Sequence, residues 1–260
     1  MQTGGLRTKG ITKTSSESLP LITVVTVVYN AESTLEQTIL SVINQTYNNV
    51  EYILVDDAST DGTLDIIKKY EDKIDYWISE PDKGIYDAMN KGVNLASGDY
   101  IALLNADDWY ELDVCKTVVN EIQKKKFDVY HAVGRFIDKQ NYVQRIFACN
   151  ERELHRWCLV HETCFVRKGI YTDFKYDILY KSAADYDFLC RIYKSGASFH
   201  LIEKVFLNFR DGGMSSTFTG TYEGNLIQYR HGYVNLSTFI LRVVLARVRY
   251  IFSTLKKQHI

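Results

Sequence analysis

The stretch Tyr100-Ile-Ala-Leu-Leu-Asn-Ala-Asp-Asp108, with Trp109 behind it, decides how the rest of the chain is read. Five mostly apolar residues run into Asn105 and then into two adjacent carboxylates, Asp107 and Asp108. A buried strand ending in this way delivers its acids to the carboxyl edge of a sheet, where open α/β sheets hold their ligands. Neighbouring carboxylates repel each other unless a cation sits beside them, and hard oxygen ligands of this kind suit Mg²⁺ or Mn²⁺. Taken alone the same residues also make an ordinary Asp-rich turn. What precedes them separates the two readings.

Upstream, Leu21-Ile-Thr-Val-Val-Thr-Val-Val28 is a β-branched run after Pro20, the pattern of a strand covered on both faces. Ser33-Thr-Leu-Glu36 matches a capping box, and Leu35, Ile39, Leu40 and Ile43 space out one helical face. Residues 50–55 read as a second buried strand that enters Asp56-Asp57-Ala-Ser-Thr-Asp-Gly62, with a helix expected over 63–73. A loop at 80–84 and a helix over 85–96 lead to the Gly98-Asp99 break before the opening stretch. A helix over 113–125 and a strand over 127–133 follow, then short strand-like pieces at 135–137 and 142–147. This alternation predicts an α/β fold with a mostly parallel, doubly wound sheet. The expected divisions are a disordered leader at 1–19, a main domain at 20–221 and a helical tail at 222–260.

Composition narrows the function classes. The chain of 260 residues is 46% hydrophobic and 24% charged, with a formal net charge of -1, so nothing electrostatic argues for nucleic acid as a partner. Its five cysteines have neither CxxC nor zinc-like spacing and read as free thiols of a reducing compartment. There is no apolar signal-peptide core and no run of eighteen uncharged apolar residues, so a cytoplasmic location without a membrane span is expected. Charge is unevenly placed, however: after Glu223 come Arg230, Arg242, Arg247, Arg249, Lys256 and Lys257, with no Asp or Glu.

The first strand-to-helix turn, Tyr29-Asn-Ala-Glu-Ser33, contains no glycine, which excludes a GxGxxG dinucleotide turn and a P-loop. Asp57, at the end of the second strand, is placed to accept hydrogen bonds from a base or ribose. Ser182-Ala-Ala-Asp185 precedes a helix over 186–195 and reads as a second capping box, with Asp185 as its acid.

Six stretches in order now resemble a family 2 glycosyltransferase with the A-type fold: Val24-Val-Thr-Val-Val-Tyr-Asn30, Val55-Asp-Asp-Ala-Ser-Thr-Asp-Gly62, Gly84-Ile-Tyr-Asp-Ala-Met-Asn-Lys-Gly92, Gly98-Asp-Tyr-Ile101, Asn105-Ala-Asp-Asp108 and Ala184-Asp-Tyr-Asp187. The resemblance covers about residues 21–216. It implies a donor half and, from residue 134 onward, an acceptor half. It implies a nucleoside diphosphate sugar of the UDP type as donor, held by Asp57 and by the backbone around Val27 and Tyr29. Mn²⁺ or Mg²⁺ would sit on Asp107 with Asp108 in support, and Asp185 would be the catalytic base. Asn105 departs from the more frequent Asp of this motif; it keeps a hydrogen bond to ribose or metal-bound water in reach without adding charge, and Asn105→Asp is expected to be tolerated or mildly activating. Lys83 and Lys91 fall in the donor-side loop and helix, where a cation meets phosphate. His161, in an apolar run, resembles the acceptor-side wall. Phe209-Arg-Asp-Gly-Gly-Met-Ser-Ser216 reads as a loop closing over the donor phosphates.

The resulting expectation is an inverting, metal-dependent transfer of a sugar to a glycan or lipid-linked glycan acceptor. The rivals are a sugar-nucleotide pyrophosphorylase, whose Gly-rich, Arg-containing first turn is missing here, and an inactive sugar-nucleotide or glycan-binding subunit, which Asn105 favours. Residues 238–255 read as an amphipathic helix. Its cationic residues point to peripheral contact with an anionic membrane face.

Overall fold

The computed structural model describes residues 1–138, 140, 142–156, 159–210 and 217–257. The strands are β1 (Gln2–Gly4), β2 (Ile22–Val28), β3 (Val50–Asp56), β4 (Tyr76–Ser79), β5 (Tyr100–Asn105), β6 (Trp109–Tyr110), β7 (Val129–Ile137), β8 (Val143–Phe147), β9 (Phe165–Arg167) and β10 (Phe199–Arg210). The α-helices are α1 (Leu35–Ile43), α2 (Thr63–Lys69), α3 (Ile85–Leu95), α4 (Val114–Lys124), α5 (Ile170–Asp173), α6 (Ala184–Lys194), α7 (Phe218–Arg230) and α8 (Leu236–Lys257).

One sheet runs β1-β4-β3-β2-β5-β9-β7-β10-β6, with β8 paired to β7. Its first half, β4-β3-β2-β5, is parallel, the doubly wound arrangement that the alternation predicts. Beyond β5 the pairing becomes antiparallel through β9, and β7 and β10 are again parallel. Both faces of β2 are buried because alternate residues enter different layers. Val25 and Val27 pack with Ile53, Met89, Val93, Phe188 and Leu189 under α3 and α6. Val24 and Val28 pack with Leu35, Ile39, Leu54 and Val118 under α1 and α4.

Glycine sets one of these contacts. A Cβ on Gly92 of α3 would stand 2.3 Å from Val25 Cγ1, so only glycine lets α3 lie this close to β2. Gly84, at φ 113°, supplies the left-handed turn into α3.

Several sequence-based expectations are corrected. Residues 1–19 are not outside the fold: β1 pairs with β4, and Arg7 forms an ion pair with buried Glu51 while donating to Leu95 O at 2.8 Å. A buried carboxylate on β3 needs a cation, and the leader brings it. Neither capping box forms. Thr34 and Ala183 are the N-caps, without side-chain bonds, and Glu36 is taken instead by Lys69 and Tyr70 at 2.6 and 2.7 Å. The boundary after residue 221 falls inside α7, whose buried Glu223 accepts the Lys181 and Ser182 amides at 2.8 Å each. The main body therefore runs through α7, and only α8 forms the tail. Cys115, Cys164 and Cys190 are free and buried, whereas Cys149 is disulfide-bonded.

Candidate active site

A cleft of about 830 Å³ opens at the carboxyl edge of β2, β3 and β5. Strand ends bring Val27, Tyr29, Asp57, Asn105 and Asp107 to its lining, and His161, Glu162 and Asp185 join them from the opposite half. The chain leaves β2 and β3 through left-handed turns at Asn30 (φ 48°) and Ala58 (φ 46°). Asn30 tolerates this conformation, and its Oδ1 accepts the Thr60 amide at 2.9 Å. The neighbouring acids Asp56 and Asp57 divide the work. Asp56 is buried and accepts from Ser79 Oγ at 2.6 Å, whereas Asp57 faces the cleft while accepting the Asp82 amide at 2.5 Å.

The Asp107–Asp108 pair divides in the same way. Asp107 lines the cleft, and burial raises its pKa. Asp108 is 1% exposed and does not line it. One of its oxygens accepts the Arg210 amide at 2.9 Å, and burial, followed by the charges of Glu162 and Asp107, pushes its pKa well up. Asp108 stands behind Asp107 rather than on the lining, and its second oxygen, Oδ2, is buried without a hydrogen-bond partner among the described residues. Arg210 also donates to Asp107 O at 2.8 Å and lies over the Trp109 ring at 4.8 Å, tying the end of β10 to the acidic turn. Residues 211–216, the expected closing loop, lie outside the described residues.

The lysines are not in the cleft. Lys83 is exposed on the loop before Gly84, where its amide donates to Asp87 at 3.0 Å. Lys91 is held by Asp82 and by Glu80 at 2.7 Å, so it braces the loop that meets Asp57. Neither lysine is among the residues lining the cleft, and the carboxylates of Glu80 and Asp82 already hold Lys91.

Asp185, second residue of α6, keeps 16% of its side chain exposed to the cleft. Its Oδ1 accepts from Tyr86 Oη at 2.8 Å, and its Oδ2 lies 3.1 Å from His161 Nδ1. Burial alone would raise its pKa; the His161 charge and the hydrogen bonds from His161 and Tyr86 outweigh burial and hold it low. His161 shows the reverse balance: burial opposes its charge, but Glu162 and Asp185 raise its pKa to about 9. Glu162 lies 3.1 Å from the same nitrogen, and its other oxygen accepts from Asn105 Nδ2 at 2.6 Å. An unbroken polar chain thus links Tyr86, Asp185, His161, Glu162 and Asn105. Sequence reasoning missed Tyr86 and Glu162. The signals were a tyrosine at the second position of α3 and a charge inside an apolar run.

Position 105 now has a physical explanation. Its amide donates to a buried carboxylate, and burial already raises the pKa of Glu162. An Asp there would set two carboxylates face to face. Asn105→Asp would therefore exchange the Asn105–Glu162 hydrogen bond for a carboxyl pair that is held together only while it shares a proton.

A divalent metal fits this edge on its donor chemistry. Asp107 offers a carboxylate, and Asn105 Oδ1 is buried without a hydrogen-bond partner. Mg²⁺ and Mn²⁺ need only one or two protein oxygens when water and phosphate supply the rest. Among the described residues no group of three His, Cys, Asp or Glu side chains is set to hold a metal ion by itself.

His161→Gln separates charge from packing. Without the imidazolium, burial dominates at Asp185 and its pKa rises. The acid limb of the rate–pH profile should move to higher pH, measured as kcat from pH 5 to 9. Folding is linked as well. His161 titrates near 9 folded against its ordinary 6.5, so its stabilisation is full below about 6.5 and is lost as pH rises through 9. The stability gap between wild type and variant should shrink over that window.

Residues 23–197 match the sequence profile described as Glycosyl transferase family 2. A PGL/p-HBAD biosynthesis glycosyltransferase of Mycobacterium bovis is 30% identical over 209 residues, 76% of this chain and 80% of that protein. The chain spans half or less of the length of several other curated glycosyltransferases that it matches. The crystal structure of S. aureus TarS 1-349 in complex with UDP-GlcNAc superposes with a TM-score of 0.68 at 19% identity, covering 86% of this chain and 70% of that one. The mannosyltransferase PcManGT of Pyrobaculum calidifontis, in complex with GDP-Man and Mn²⁺, gives 0.62 at 14% identity, covering 93% and 74%. At those identities the structures establish the fold. The sequence profile, spanning most of the strands and helices that build the cleft, establishes more: this chain belongs to glycosyl transferase family 2.

Proposed function

We propose that this chain is an inverting glycosyltransferase that moves a sugar from a nucleoside diphosphate sugar to a hydroxyl of a glycan or lipid-linked glycan. The observation that carries the reading is an ionised, donor-held carboxylate, Asp185, in the same cleft as Asp57 and Asp107. Asp57, Val27 and Tyr29 form the end that takes the nucleoside, for which UDP is the favoured form; the UDP-GlcNAc complex of TarS supports that choice. Asp185 takes the proton from the acceptor hydroxyl as its oxygen attacks the anomeric carbon, and the diphosphate leaves from the opposite face. One in-line displacement inverts the anomeric configuration. Asp107 and Asn105 would hold Mn²⁺ or Mg²⁺, which when bound supplies a Lewis acid to the leaving diphosphate; the Mn²⁺ complex of PcManGT supports this.

The test is nucleoside diphosphate release from a panel of nucleotide sugars, with and without Mn²⁺. A metal-dependent release with one donor class is expected. An inactive binding subunit would release none, and a pyrophosphorylase would instead release pyrophosphate in making the sugar nucleotide.

Peripheral membrane attachment belongs to the same proposal. Among the described residues no helix is long and apolar enough to cross a membrane. One face of α8 packs on α7: Phe239 stacks on Tyr229 at 5.3 Å, and Arg247 lies over Phe218 at 5.0 Å, which accounts for its place off the cationic face. The other face leaves Ile240, Leu241, Val244 and Leu245 about half exposed, with Arg249 exposed beside them, whereas Arg242 donates to Gln228 of α7. An apolar stripe with a cation beside it suits an anionic lipid surface. Leu241→Glu combined with Val244→Glu should abolish flotation with anionic liposomes and leave the fold intact. Unchanged flotation, or equal binding to neutral vesicles, would remove the membrane from the proposal.

A further inference from the structure

Beyond the acids, the cleft has a second chemical character at its far wall. Phe136 on β7, Phe147 on β8 and Phe209 on β10 are half-buried lining residues. Phe136 lies 5.0 Å from Phe209 and 6.0 Å from Phe147, so the three rings form one aromatic patch. Arg145 reaches across it from β8, with its guanidinium carbon 4.0 Å above the Phe136 ring and 5.9 Å from that of Phe147.

Arg145 is the only Lys or Arg among the described lining residues, beside four lining carboxylates, Asp57, Asp107, Glu162 and Asp185. Among the described residues no carboxylate lies within salt-bridge distance of it, although the residue is exposed. A guanidinium held over a ring face has N–H groups left for a planar or tetrahedral anion. Phenyl faces beside it offer the flat, apolar contact that the C–H face of a sugar ring needs.

Its place in the sheet assigns this wall to the acceptor. β8 pairs with the C-terminal half of β7, on the edge shared with β9. It therefore stands across β2 and β5 from Asp57, on the side from which His161 and Asp185 enter the cleft.

We propose that Phe136, Phe147, Phe209 and Arg145 form an acceptor subsite for a sugar that carries an anionic group, a phosphate or a carboxylate, next to the ring being glycosylated. The inference rests on the glycosyltransferase reading and narrows its acceptor class. The rings hold the sugar face, the Arg145 fork takes the anion, and the reacting hydroxyl is left toward Asp185.

The experiment compares three acceptors with one donor: a glycosyl phosphate, a uronic acid glycoside and the neutral parent glycoside. Wild type should favour one of the anionic acceptors over the neutral one by about tenfold or more in kcat/KM. Which of the two is favoured identifies the source of the anion. Arg145→Gln should collapse that ratio toward one, and Arg145→Lys should restore part of it. A ratio unchanged in Arg145→Gln overturns the subsite. So does a donor KM, measured in acceptor-free hydrolysis, that rises as much as the ratio falls, because Arg145 then serves the donor diphosphate. Absence of nucleoside diphosphate release by wild type with every donor would instead defeat the transferase reading itself.

Discussion

Asp185→Asn is expected to fold, to bind donor and to transfer about 10²- to 10⁴-fold more slowly than wild type, the usual cost of losing a general base. The amide keeps the size of the carboxyl and can still accept from Tyr86 Oη, now 2.8 Å from Asp185 Oδ1. What it loses is the capacity to take a proton. The alternative role, a helix cap, is already weakened because the α6 N-cap is Ala183 and makes no side-chain bond. Loss of a cap would in any case cost only about 1 kcal/mol of stability. Single-turnover transfer beside a melting curve separates the roles. A variant that melts early yet transfers normally while folded would leave Asp185 with a structural role only.

Asp107→Ala should be at least as severe, with transfer falling on the order of 10³-fold, the size of a lost metal-centred charge stabilisation. Asp107 is the one acid of the pair that faces the cleft, and burial already disfavours its charge unless a cation compensates. The deficit should be largest at limiting Mn²⁺ and accompanied by weaker Mn²⁺ binding in calorimetry. Near-normal turnover at limiting Mn²⁺ would show that the metal assignment is wrong. Asp108→Asn tests the division between the two acids. Because Asp108 accepts the Arg210 amide and is closed off from the cleft, its loss should act through the position of Asp107 and β10 and leave intrinsic metal affinity less affected.

The primary structure alone determined the donor half of the sheet. Strands such as Ile22–Val28 and Val50–Asp56 carry β-branched residues on both faces, and only a parallel strand covered by helices on each side accommodates that. The positions of Asp57, Asn105 and Asp107 at the carboxyl edge follow directly, because each ends such a strand and the strand direction is fixed by the short alternation with helices. The order of the six motifs was enough to place Asp185 with them.

Only the tertiary structure decided which of two adjacent acids faces the cleft. Consecutive residues at a strand end point to opposite sides, and which side is open depends on what packs behind; here the amides of Ser59 and Arg210 claim Asp56 and Asp108. The same holds for Tyr86 and Glu162, which reach Asp185 and Asn105 from residues 99 and 57 positions away. No local pattern encodes such partners, because burial and the low dielectric that make these bonds matter arise only once the two halves of the sheet close on each other. Arg7 shows the same limit: a polar leader reads as disorder until the buried Glu51 it neutralises is in place.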